Sequence, residues 1–206
     1  MWALVAAFAL GALVSGGLVF AVTGPSSTER MADQIRAEAA LRDKTQVKDL
    51  TTLARTTRDR LAPVLEGLSL AMPGGDAAAG PAAVTSADVG KWREAVTAAV
   101  ASFADPPSGE TATNVARSTL ASAVRQLATT VDAYAAARDL GGPSAATALE
   151  RAARQRADAL FTWSVGATAL DAVNVDVGYG HQHVFLQTSP GDGALTPDDE
   201  PEGHHS

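Results

Sequence analysis

The stretch LASAVRQLATTVDAY, Leu120 to Tyr134, decides the fold class. Leu120, Val124, Leu127, Val131 and Tyr134 recur at alternating steps of four and three, with Arg125, Gln126 and Asp132 between them. Such steps return to one side of a helix with ~3.6 residues per turn, so these five side chains form a single apolar seam. A strand would need a step of two, which is missing here. The spacing predicts a helix over about 110–139, stopped by the Gly-Gly-Pro that begins at 141.

The pattern repeats on both sides of that stretch. A helix is expected from about Ser27 to Met72, kinked at Pro63, with Leu50, Leu53, Ala54, Leu61, Val64, Leu65 and Leu68 on one face. Its first half offers only Met31, Ile35, Leu41 and Val47 among many charges, the pattern of a solvated stalk. Ser86 reads as an N-cap, with Asp88 at the positive end of the helix dipole. Val89, Trp92, Val96, Val100 and Phe103 then share a face up to Pro106. A last helix begins around Pro143 and carries Leu149, Ala153, Leu160, Trp163, Ala167 and Leu170. Four amphipathic helices on short connections bury their stripes against one another, so the expected class is all-α, an antiparallel four-helix-like bundle. Its Ala-rich core buries little area per residue, which makes self-association or a protein partner an expectation.

Residues 1–22, MWALVAAFALGALVSGGLVFAV, contain no charged side chain. About 20 apolar residues cross a ~30 Å hydrocarbon core, so this segment reads as a transmembrane anchor. It lacks the basic leader and small-residue cleavage site of a secretory signal. Arg30, Arg36 and Arg42 would hold the domain behind the anchor in the cytoplasm if the positive-inside rule stood alone. A lone N-terminal apolar segment nevertheless exports such a domain, so an extracytoplasmic domain on a single-pass cell-membrane anchor is expected. The organisation is then an anchor at 1–22, a helical stalk at 23–49, a bundle at 50–172, an extended arm at 173–188 and a disordered acidic tail at 189–206.

The arm rests on a change of period. Val173, Val175, Val177, Tyr179, His181, His183 and Phe185 fall on alternate positions, the step of an extended strand. Residues i and i+2 of a strand point the same way, so His181 and His183 can face one metal ion, while Asp176 points to the other side. Zinc takes four ligands, or three with an open position, and two histidines do not complete a site. From Ser189 onward the chain is rich in Pro, Gly and acids and carries no Lys or Arg, too polar to offset the entropy of ordering.

ALFTWSV at 159–165 followed by VGYG at 177–180 resembles the pore helix and filter signature of potassium channels. The resemblance implies a filter of backbone carbonyls from four subunits, held between two membrane-spanning helices. Here Asp176 stands where the family has Thr, His181 stands where it has Asp, and no second apolar span follows Gly180. A channel is therefore set aside.

Other chemistry is excluded more simply. A net charge of −7 opposes nucleic-acid binding, which needs clustered Lys and Arg. The absence of cysteine removes disulfides, thiolate metal sites and cysteine nucleophiles. Ser164-Val165-Gly166 lacks the first glycine of a hydrolase elbow, and no zinc-protease, phosphate-loop or dinucleotide motif occurs. The expected function is a non-catalytic interaction or sensory module without a cofactor, and the alternative is a metal-binding protein using His181 and His183.

Overall fold

The computed structural model describes residues 26–73, 82–107, 109–187 and 193–203. They form four helices and no strand: α1 (Ser27–Ala71), α2 (Ser86–Ser102), α3 (Thr111–Arg138) and α4 (Gly142–Asp176). The anchor expected at 1–22 lies outside the described residues, among which no helix is long and apolar enough to cross a membrane. The chain divides into two units, residues 1–42 and 43–206. In the first, Ser26 and Glu29 exchange reciprocal hydrogen bonds as a capping box, and Met31, Ile35 and Leu41 are exposed.

The second unit is the bundle, and named pairs fix its topology. Gly67 of α1 lies against Trp92 of α2, while Arg60 bonds Ser102 further along, so α1 and α2 are antiparallel. Arg93 pairs with Asp132, and Arg138 reaches the carbonyls of Val84 and Thr85, which runs α3 against α2. Gly166 meets Leu120, and Thr162 meets Gln126, giving α4 the opposite sense to α3. Thr51–Asn174 and Leu68–Arg156 close the ring between α1 and α4, again antiparallel. This is an up-down-up-down bundle.

The seams read from sequence are its core. All five side chains of the Leu120–Tyr134 stretch are buried, as are Leu50, Ala54, Leu61, Val64, Leu65 and Leu68 of α1. Trp163 is 1% exposed at the centre. Val47, expected in the stalk, is fully buried. Local signals hold the ends. The N-cap of α2 is Thr85, one residue before the expected Ser86, because Thr85 and Asp88 complete a capping box. The guanidinium of Arg156 is buried against the carbonyls of Met72 and of Leu68, which also accepts the Met72 N–H, so a positive charge sits at the C-terminal end of α1.

The expected arm at 173–188 is corrected. Helix α4 runs through Val173 and Val175 to Asp176, because Val173 and Asn174 face the core. The Asn174 side-chain amide donates to Thr51 Oγ1 (2.9 Å) and to the Leu170 carbonyl (2.8 Å). Alternating valines carry a weak strand preference, and burial on a helix face overrides it. The helix stops at the VGYG stretch. Gly178 takes φ +80°, its N–H bonds the Val175 carbonyl, and the Tyr179 N–H bonds the Asn174 carbonyl, the two bonds of a Schellman motif. Gly180, also left-handed at φ +69°, turns the chain back along the bundle. The residual arm from 181 to 187 makes no ladder; Val184 and Leu186 bury into the core, and the Trp163 Nε1–H donates to the Val184 carbonyl at 2.8 Å.

Candidate metal centre

The arm returns alongside the last turns of α4 and brings its histidines to Asp171. In the apolar stripe of α4, Asp171 follows Ala167 by four residues, so a carboxylate occupies a core-facing position and is 8% exposed. Its two oxygens are divided: Oδ1 accepts the backbone N–H of Gln182, and Oδ2 lies 2.9 Å from Nδ1 of His181. The backbone contact fixes the carboxylate so that its second oxygen faces the ring.

A third segment completes the cluster. Residues 193–203, within the segment expected to be a disordered tail, come back against the arm. Asp198 places one oxygen 3.1 Å from His183 Nε2 and the other 3.6 Å from His181 Nδ1. Glu202 accepts the backbone N–H of His183 (3.1 Å) and faces Arg55 of α1 (3.4 Å), while the Gly203 N–H donates to the His181 carbonyl (2.9 Å). The Arg55 and Arg58 guanidinium groups also bond the arm, at the Gln182 side chain and the His183 carbonyl.

One ligand atom from each of Asp171, His181, His183 and Asp198 lies within 4.8 Å of all the others. Zinc bonds to N and O donors measure about 2.0–2.1 Å, which sets the donors of a tetrahedral site about 3.3–3.4 Å apart. The contacts of 2.9, 3.1 and 3.6 Å, the last two to different oxygens of Asp198, lie near that edge, and the four donors as a set lie within 4.8 Å, so closing around an ion takes shifts on the order of an ångström. Two imidazoles and two carboxylates are borderline-to-hard donors suited to zinc and its first-row neighbours, and the two carboxylates balance a divalent charge. His181 and Asp171 are buried and Asp198 is exposed, so the centre opens to solvent on the tail side.

The hydrogen bond to Asp171 raises the His181 pKa above its ordinary value; burial opposes the shift, and the charges of Asp171, Asp198 and Glu200 add to it. With an ion on Nδ1, the ring proton sits on Nε2, a buried atom without a hydrogen-bond partner among the described residues.

The two histidines singled out in the sequence are brought together, their ring centroids 6.1 Å apart. Asp176, weighed as a neighbour, is exposed at the end of α4 and stands outside the cluster. Sequence reasoning missed Asp171 and Asp198. For Asp171 a signal existed, since a charge four residues beyond Ala167 interrupts an apolar stripe once α4 is extended past Leu170. For Asp198, one acid in a run of three, no local signal separates it from its neighbours. Comparisons with protein-family models, curated proteins and solved structures give no match for this chain.

Proposed function

We propose that this protein is a membrane-tethered helical bundle that binds a divalent transition-metal ion through Asp171, His181, His183 and Asp198, and acts without catalysis as a metal-responsive interaction or sensory module. The observation that carries the reading is the convergence of four donor atoms from three separate segments to within 4.8 Å of one another. Two histidines alone would be an ordinary pair; two carboxylates aimed at them from a helix and from the tail make a ligand set. Four protein ligands fill a tetrahedral ion, the arrangement of binding sites rather than of catalytic ones, which keep a position open. The tether is proposed from the uncharged run at 1–22, and an extracytoplasmic bundle from that run's place ahead of it.

Calorimetric titration of the purified full chain with Zn²⁺, beside Asp171→Asn and the double variant His181→Gln/His183→Gln, tests the metal reading. Saturable one-to-one binding is expected in the parent. Loss of even an outer-shell partner typically costs about 10–100-fold in affinity, so both variants should weaken binding by at least about tenfold. Equal affinity in all three proteins refutes the assignment. Carbonate extraction of membranes tests the tether, and recovery of the intact chain in the soluble fraction refutes it.

A further inference from the structure

The four donors come from different places: Asp171 from α4, His181 and His183 from the arm, and Asp198 from the tail. Only Asp198 ties the tail into the centre. Between 193 and 203 every residue is exposed except Ala194, which is half-buried, so the tail docks with almost no apolar burial. Its other ties include the Leu195 N–H to Ser164 Oγ (2.9 Å), the Gly203 N–H to the His181 carbonyl (2.9 Å), the Glu202 contacts with the His183 N–H and Arg55, and the charge of Glu200 near His181. The Glu202 contacts are exposed and the Leu195 bond is part-buried, and such a contact contributes no more than the ordering of a single residue costs. A metal–carboxylate bond is stronger, and it acts at the middle of the segment.

We propose that the bound ion is the latch that holds residues 193–203 against the arm and α1, so that metal occupancy at Asp171, His181 and His183 is read out as docking of the acidic tail through Asp198. The proposal rests on the metal-binding reading above and adds its regulated output. When the ion leaves, the Asp198 and Asp171 carboxylates face one another across the histidines without the divalent charge between them. The tail then releases. Its departure frees Glu202 from Arg55 and opens the backbone of His181 and His183 on the side that Gly203 and Glu202 now cover. The device converts the concentration of a metal ion into the exposure of a basic and polar strip on α1 and the arm.

The chain contains no cysteine, so a single introduced one carries a label at a unique place. Asp199 is exposed and is not a ligand, which makes Asp199→Cys with a nitroxide label a reporter of tail motion. Electron paramagnetic resonance of the labelled full chain is compared in excess chelator and in saturating ZnCl₂, with calorimetry on the same protein to measure Zn²⁺ binding. The expected result is a mobile spectrum in chelator and an immobilised one with Zn²⁺. In Asp199→Cys combined with Asp198→Asn, Zn²⁺ should bind about tenfold or more weakly and leave the label mobile at saturation. A label equally immobile with and without Zn²⁺, or mobile in both while calorimetry shows the ion bound, overturns the latch and leaves the metal site standing. No binding of Zn²⁺ in calorimetry overturns both.

Discussion

Trp163→Phe is the substitution that most directly tests how the arm is held to the bundle. Trp163 is 1% exposed, and its Nε1–H donates at 2.8 Å to the carbonyl of Val184, a residue that is fully buried. Phenylalanine keeps an aromatic ring in the same seam but has no donor. The Val184 carbonyl, away from water, then loses a partner, which costs about 1–3 kcal/mol. Contraction of the side chain by about 40 Å³ adds about 1 kcal/mol at roughly 24 cal/mol per Å³ of residual cavity. Together the loss is about 2–4 kcal/mol. For a unit the size of residues 43–206, each kcal/mol moves Tm by about 2–4 °C, so circular dichroism at the helical band should show Tm falling by about 5–15 °C. The deficit is not spread evenly. Half of it or more belongs to the bond that pins the arm, so amide exchange should accelerate more at 181–186 than at Val124 or Leu127 of α3. A variant that melts within about 1 °C of the parent, or that exchanges faster everywhere by one factor, refutes the claim that the indole N–H is what fixes the arm.

Two further outcomes rest on the same geometry. In Gly67→Ala the new Cβ would overlap Trp92 Cζ2 and lie 2.8 Å from its Cε2, while the ring is itself held against Tyr134 at a centroid distance of 5.7 Å; overpacking of about 1–3 kcal/mol exceeds the ~1 kcal/mol that alanine gains in a helix, so Tm should fall, and a rise would show that the ring has room to move. The pH dependence should have opposite signs with and without metal. The folded pKa of His181 lies above its ordinary value of 6.5, so in excess chelator its contribution to stability is fully present below about pH 6.5 and is lost as pH rises through the raised pKa. Zn²⁺ needs that nitrogen unprotonated, and its affinity should rise over the same interval. Melts and calorimetry between pH 6 and 8.5 check the pair, and a metal-free Tm that climbs with pH contradicts the placement of His181 beside Asp171.

The bundle was legible in the sequence because its information is periodic. Leu120 to Tyr134 and Leu61 to Leu68 repeat at helical steps, and each residue that the steps select there is buried. The end of α4 was not legible. Val173, Val175 and Val177 satisfy a period of two by composition, and only the pairing of Asn174 with Thr51, 123 positions away, shows that the helix continues. Half of the candidate centre was legible for a related reason: a His-x-His pair is a local motif, whereas Asp171 and Asp198 acquire their meaning from where the chain folds back. The acidic tail was read by composition, and composition does not record that Asp198 and Glu202 stand opposite two histidines and an arginine.

The corner at Gly178 and Gly180 has a consequence for how this chain can vary. Both residues adopt backbone angles that side-chain-bearing amino acids rarely tolerate, and they sit between the helical aspartate and the histidine pair. The aim of those rings is therefore dictated by a handful of torsions in a bend, as a mirror's aim is set by its mount. Lengthening or shortening that bend by a single amino acid would swing both imidazoles away from the carboxylate, even with every helix intact.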